Sequence, residues 1–376
     1  MKQIKQLDAL RGIAVVLVVG FHWLPENILL STYPNRPFDV DFFFVLSGFL
    51  ITSILFISRD KAEEMDLPIT LVYKNFFIRR ALRIFPAYFL TVFLIVVFHI
   101  THLIPSTIKQ ELLPSLTYTM NFYLYHTKVW ADMTTHFWTL AVEEQYYLFW
   151  PWVILLINRK YLLHAILIFI AIGFISQTII TDPDFGYMPT PTCFDAFGIG
   201  AFISWIALYH PKHVRKMFLV FQVLAIISLV IFFTVIFVDH NYFIHQQRFL
   251  RSIMGGCVIS YIVYKGESKR MNFSFIFNNR FLIFLGKISY GMYLYHVFLP
   301  WDSPLLDKWF NQFLPAWALP HLDSIIVVEN LILLVLFSWL SLKLYEEPIN
   351  NLKRYFRYNK ANLAKFKKSK PTPASS

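Results

Sequence analysis

Ten apolar stretches recur along the chain, near residues 7–24, 40–58, 83–103, 137–157, 161–180, 194–209, 217–238, 247–264, 281–301 and 325–345. Each approaches the roughly 20 helical residues needed to cross a hydrocarbon core of about 30 Å. In lipid every backbone polar group must be satisfied within the segment, so repeated runs of this length fold as helices. The sequence therefore predicts an all-α polytopic membrane protein with about ten transmembrane helices. Composition points the same way, since 57% of the 376 residues are hydrophobic and only 15% are charged, far from soluble globular usage. A further stretch, Leu112 to Tyr125, contains Pro114 and Asn121 and is too short to span, so it reads as interfacial or re-entrant.

Positive charge orients the spans, because short cytoplasmic loops hold the Lys and Arg residues. With residue 1 inside, 26 of the 34 Lys and Arg fall on the cytoplasmic side and five on the outer side. Both termini are expected in the cytoplasm, in a multi-pass protein of the cell (inner) membrane. Counting 112–125 as a span would invert every later helix and put Arg159 and Lys160 outside. Residues 1–348 read as one transmembrane domain and 349–376 as a basic cytoplasmic tail, largely disordered. The net charge of +11 lines the inner leaflet, where anionic lipid attracts it, and nucleic acid is not implied. Lys5, Asp8 and Arg11 open the first apolar run and Pro25 and Glu26 come after it, so no cleavable signal peptide is expected. Cys193 and Cys257 fall on different spans at different depths, so no disulfide is expected.

Polar side chains inside a span cost about 2.5–3.5 kcal/mol or more when charged and central, so each is a functional candidate facing the bundle interior. They separate into two layers. In the outer layer lie His22 near the external end of the first span, Asp41 at the start of the second, and Glu143 and Glu144 on the fourth. Glu143 is six residues past Phe137, roughly 9 Å along its helix. Ser289, Tyr293 and His296 on the ninth span stand at i, i+4 and i+7 and share one face. The inner layer is cationic, with Arg11 on the first span and Arg79, Arg80 and Arg83 at the start of the third. Planar guanidinium forks suit phosphate better than ammonium groups do. Arg11 and His22 are eleven residues apart, roughly 16 to 17 Å along one helix face, so the first span runs from a cation to an imidazole.

Taken singly, these residues have blander readings. His22 could be an interfacial histidine, the arginines could be anchors that snorkel to headgroups, and Glu144 could be an acid favoured by the helix dipole. Ser289 and the tyrosines of the ninth span could join helices. His99, His102, His126 and His136 match no usual metal-site spacing, and no metal is expected. Only the conjunction of layers points to chemistry.

The motifs that carry these residues resemble, as a set, the acyltransferase 3 family of integral membrane acyltransferases. Arg11 and His22 match an Arg-x10-His pattern on the first span, and VDFFFVLSGFLIT, with Asp41, Ser47 and Gly48, matches the second-span motif. RRALRIFPAY is similar to the arginine-rich start of the third span, and FWTLAVEEQYYLFWP, with Trp138 and Glu143, to a Trp-x4-Glu signature that here also holds Tyr147. LGKISYGMYLYH is similar to the ninth-span motif and Glu346 to Pro348 to a closing Glu-x-Pro. One departure is Asp39, which stands where the family usually has Gly.

The resemblance implies transfer of an acyl group, most often acetyl, from cytoplasmic acyl-coenzyme A to a hydroxyl of a sugar or glycan-type acceptor on or across the membrane. The donor is then a substrate, and no cofactor is bound permanently. Expected partners are acyl-CoA, the glycan or glycoconjugate acceptor and membrane lipids. Some family members carry an appended esterase-like domain; this chain is expected to act alone or to pass the acyl group to a separate extracytoplasmic protein. In this reading His22 is the base, Asp41 or Glu143 orients it, and Arg11, Arg79, Arg80 and Arg83 hold coenzyme A. Ser47, Trp138, Tyr147, Ser289, Tyr293 and His296 contact the acceptor or support the site. An acyl-enzyme at His22 or Ser47 is open. The alternative is a proton-coupled secondary transporter using His22, Asp41 and Glu143 as a relay. It would call for inverted repeats and broken helices, to which Gly198, Gly200, Gly255 and Gly256 are the nearest approach.

Overall fold

The computed structural model describes residues 4–23, 40–101, 108–238, 246–266, 272–299, 312 and 322–356. Asp39, His102 and most of the basic tail lie outside them. Among the described residues the chain is a helical bundle without strands. Its helices are α1 (Lys5–Trp23), α2 (Asp41–Glu64), α3 (Ile69–Ile100), α4 (Ile108–Leu116), α5 (Met120–Thr127), α6 (Phe137–Leu156), α7 (Leu162–Ile179), α8 (Phe194–Tyr209), α9 (Val214–Val238), α10 (Gln246–Lys265), α11 (Ser274–Phe277), α12 (Arg280–Tyr295) and α13 (Leu322–Ser341).

Eight of the described helices are long and apolar enough to cross a membrane: α1, α2, α3, α7, α8, α9, α12 and α13. The other two expected spans, 137–157 and 247–264, are helices as well, α6 and α10. They carry Glu143, Glu144, Arg248 and Arg251 and are not among the eight. The stretch 112–125 divides between α4 and α5, of 9 and 8 residues, each about half the length needed to cross. Two differences in boundary bear on the site. Helix α3 begins at Ile69, so Arg79, Arg80 and Arg83 sit well inside it rather than at its start. Helix α12 ends at Tyr295, and His296 opens a short 3-10 turn, His296–Phe298.

Burial sorts the helices into centre and periphery. The apolar window of α2 is 72% buried, against 28% for α9 and 22% for α13, so α2 is central while α9 and α13 turn side chains such as Val223, Val230 and Ile332 outward. With lipid as apolar as Leu, helices in such a bundle associate through close packing and interhelical hydrogen bonds. The pair α1 and α12 shows the first: a Cβ built on Gly286 would lie 1.7 Å from the Asp8 carbonyl oxygen, and one on Gly12 would lie 2.3 Å from the Leu282 carbonyl oxygen. These backbones touch, and only glycine permits it. Hydrogen bonds between α2 and its neighbours include Trp150 Nε1 to Thr52 Oγ1 at 2.9 Å and Ser53 Oγ to Ser204 Oγ at 2.8 Å. Tyr146 stacks on Phe197 at 4.1 Å.

Arg59, on α2, donates to the Ile154 and Ile157 carbonyls at 2.6 and 2.8 Å, groups that the end of α6 leaves without intrahelical partners. Arg159 pairs with Asp60 and Glu63 at 2.5 and 2.7 Å, tying the α6–α7 connection to the same end of α2. At the opposite end Lys128 pairs with Asp182 at 2.7 Å. Partial burial opposes ionisation of Asp182, but the Lys128 ammonium and the Phe185 N–H outweigh it and hold the carboxyl below the usual carboxylate range.

Candidate active site

Helices α1, α2, α3, α6 and α12 surround a cavity of about 130 Å³. From α6, Thr139, Glu143 and Tyr147 line it, a spacing of i, i+4 and i+8 that stacks them on one face. Helix α3 contributes Arg80 and Arg83, α1 contributes Arg11, α2 contributes Ser47, and α12 contributes Ser289, Tyr290 and Tyr293. Of the four arginines expected at a donor site, three therefore share one cavity. Arg79 is not among its lining residues. Arg11 is held by Asp8 one turn earlier at 3.1 Å, and the Arg80 guanidinium lies 5.9 Å from the centre of the Tyr147 ring.

On the cavity wall the carboxylate of Glu143 accepts two hydrogen bonds, from Ser47 Oγ at 2.7 Å and from the Tyr147 hydroxyl at 3.1 Å. The Tyr147 hydroxyl also lies 3.3 Å from Ser47 Oγ. One turn along α6 the Thr139 and Tyr293 hydroxyls are 2.6 Å apart, and Tyr293 donates to the His136 carbonyl at 2.9 Å. Ser289 donates to the Gly286 carbonyl at 2.9 Å. Trp138, one residue off the lining face, is buried edge-on against Phe44 and Tyr187, where it supports the wall.

Beyond Tyr293 three imidazoles stand in a column. The His22 and His296 ring centroids are 4.9 Å apart, and those of His296 and His136 are 5.3 Å apart. His136 and His296 are 5% and 1% exposed, while His22 is exposed. His22 Nδ1 is 2.8 Å from the Val18 carbonyl and His296 Nδ1 is 2.7 Å from the Tyr293 carbonyl. A carbonyl only accepts, so Nδ1 carries the proton in each ring, and neutral imidazole then keeps its basic lone pair on Nε2. The Trp23 indole donates to the His296 carbonyl at 3.2 Å and fastens the end of α1 to α12. Among the described residues no group of three or more His, Cys, Asp or Glu is arranged to hold a metal ion.

Asp41 occupies a different setting from the one its sequence position suggests. It is 1% exposed, and its two oxygens receive Arg248 Nη2 at 2.5 Å and Arg251 Nε at 3.2 Å. Arg248 also donates to the Tyr187 carbonyl at 2.8 Å. Asp41, one of the two carboxylates expected to orient His22, thus joins α2 to α10, and the Val18 carbonyl lies against His22 Nδ1. The sequence does hold a signal: two arginines three residues apart in an otherwise apolar run need a buried carboxylate. The spacing of His136 to nearby histidines fits no metal site, and its partner in the column, His296, comes from the far end of the chain.

The geometry is that of a polar file leading from arginines, past a hydroxyl and carboxylate cluster, to an exposed imidazole. A family model described as an acyltransferase domain matches residues 4–343. The chain is 29% identical over 335 residues to a peptidoglycan O-acetyltransferase of Listeria monocytogenes, covering 81% of this chain and 51% of that protein. It is 29% identical over 325 residues to a Staphylococcus aureus protein provisionally named an O-acetyltransferase, covering 79% and 50%. A Bacillus subtilis protein provisionally named a peptidoglycan O-acetyltransferase is 27% identical over 327 residues, covering 78% and 48%. The chain spans about half the length of these curated relatives. No solved structure matches it.

Proposed function

Because the chain belongs to the acyltransferase 3 family, we propose that it is a membrane O-acetyltransferase that moves an acetyl group from acetyl-CoA to a hydroxyl of a cell-envelope glycan of the peptidoglycan type. The observation that carries this reading is the single cavity on which Arg11, Arg80 and Arg83 meet Ser47, Glu143 and Tyr147. A polyanionic donor needs guanidinium forks, which make charge-assisted, bidentate bonds to phosphate oxygens. Acyl transfer to oxygen needs a base near neutral pH to take the acceptor's proton, and an imidazole suits that task.

In this mechanism the arginines grip the phosphates of coenzyme A at the cytoplasmic mouth, with both chain termini on that side of the cell membrane. His22 removes the acceptor's proton through Nε2, the nitrogen left basic by the Val18 carbonyl at Nδ1. His296 backs the imidazole by ring contact. The thioester is already activated, so the protein's task is to position its carbonyl and to receive the proton. The acceptor is presented on the far side of the membrane, directly or through a separate acyl-accepting protein. Asp41 has no chemical step here, because Arg248 and Arg251 engage both of its oxygens.

Mass spectrometry of envelope glycans from cells with and without the gene tests this function. The expected result is loss of an acetyl increment from the glycan, restored by the wild-type protein and not by His22→Ala. Unchanged glycans in the deletion would overturn it.

A further inference from the structure

The arginines and His22 stand at opposite ends of the polar file, and Ser47 lies between them. Six residues into α2, Ser47 is roughly 9 Å from the start of its helix. Its Oγ donates to Glu143 Oε1 at 2.7 Å, and the Tyr147 hydroxyl stands 3.3 Å from the same Oγ. All three side chains line the cavity that holds Arg11, Arg80 and Arg83. A hydroxyl whose proton already points at a carboxylate, within general-base distance, is an activated nucleophile in outline. We propose that Ser47 is an acyl carrier, taking the acyl group from acetyl-CoA and holding it as a serine ester on its way to the acceptor.

This step rests on the acyl transfer proposed above and adds an intermediate to it. In the first half, Ser47 Oγ bonds to the thioester carbonyl carbon while Glu143 takes the hydroxyl proton. The carbon–sulfur bond then breaks, and Glu143 returns that proton to the departing thiolate, leaving acetyl-Ser47 and free coenzyme A. In the second half the acceptor oxygen bonds to the same carbonyl carbon and the bond to Ser47 Oγ breaks. His22 takes the acceptor's proton, and that proton passes to Ser47 Oγ through Glu143, which stands 2.7 Å from it, as the ester bond breaks, so the protein ends as it began. The Tyr147 hydroxyl is placed to donate to oxygen as charge develops in both halves. The ester answers a question of distance: the donor is gripped at the end where Arg11 lies, the acceptor is bound at the end where His22 lies, and the carrier holds the acyl group in the cavity that the arginines share.

The test is acetyl trapping on the full-length chain in nanodiscs, using radiolabelled acetyl-CoA without acceptor, an acid quench, and peptide mass spectrometry. The wild type is expected to carry a near-stoichiometric acetyl group on Ser47 that is chased by soluble peptidoglycan fragments. Ser47→Ala is expected to lose the label and at least about 100-fold of transfer. Ser47→Cys, if monodisperse, is expected to carry the label as a hydroxylamine-sensitive thioester. Glu143→Gln is expected to slow labelling by about 100-fold or more. Transfer to the fragments with no label on Ser47, label on His22 or Tyr147 instead, or a Ser47→Ala protein as fast as wild type would overturn the carrier while leaving the acetyltransferase standing. A wild-type protein that neither releases coenzyme A nor acetylates the fragments would overturn both.

Discussion

His22 and His296 pack against each other with ring centroids 4.9 Å apart and planes inclined at 54°, so that two imidazoles from opposite ends of the chain register the last turn of α1 on the end of α12. If His22 is the base, His22→Ala lowers the initial rate of transfer by about 100- to 10 000-fold, the range that general-base catalysis supplies. His296→Phe keeps a ring against His22 and is the milder change. His296→Ala removes an aromatic contact of about 0.5–1.5 kcal/mol and costs up to roughly tenfold. Initial rates in detergent-solubilised protein rank the three.

The cavity divides the arginines. Arg80 and Arg83 line it and Arg79 does not. A hydrogen bond to a charged group is worth about 1.5–3 kcal/mol, so Arg80→Ala and Arg83→Ala each raise KM for acetyl-CoA by about 10- to 150-fold. Arg79→Ala stays within about twofold, as a change away from the ligand should. Steady-state kinetics at two salt concentrations read this out, with the salt sensitivity weakened in the first two variants.

Asp41 predicts a different phenotype from His22. Removing one member of a buried ion cluster leaves uncompensated charge and costs about 3–5 kcal/mol. Asp41→Asn is therefore expected to lower the melting temperature and the yield of monodisperse protein, and Arg248→Met to do the same. Thermal denaturation followed by size-exclusion chromatography separates this from a catalytic defect, since His22→Ala gives up only a ring contact of about 0.5–1.5 kcal/mol and lowers both properties far less.

Glycine contacts set a further contrast. At Gly286 an added Cβ meets backbone, the Asp8 carbonyl at 1.7 Å, whereas at Gly255 the nearest atom is the Phe42 ring edge at 3.1 Å. Backbone cannot yield as a side chain can, so Gly286→Ala separates α1 from α12 and lowers thermal stability, while Gly255→Ala is tolerated. The same denaturation assay compares them.

Much of this arrangement is legible in the sequence because lipid penalises polar groups so heavily. Arg11, Arg80, Arg83, Ser47, Glu143, Tyr147, Ser289 and Tyr293 are each conspicuous in an apolar run, and the structure gathers them on one cavity. Helical spacing on α6 places Thr139, Glu143 and Tyr147 on one face without further information. Partnerships across the chain are harder to see. The nearest polar residue to Asp41 on a neighbouring span is His22, while its partners Arg248 and Arg251 lie more than 200 residues away. Local spacing alone makes His136 look like a loop histidine. The start of α3 is hidden for another reason: Lys74 and Arg79 dilute its first turns with charge, although the helix runs through them unbroken.

If the arginine end receives the donor and the histidine end the acceptor, the acyl group must cross between them, and proteoliposomes measure that crossing. Protein is inserted with its arginine end outward, radiolabelled acetyl-CoA is added outside, and soluble peptidoglycan fragments are sealed inside. Acetyl label is expected to accumulate on the enclosed fragments while coenzyme A stays outside, and His22→Ala and Arg83→Ala are expected to abolish the accumulation. Label remaining wholly outside with active wild-type protein, or label entering as intact acetyl-CoA, would refute sided transfer.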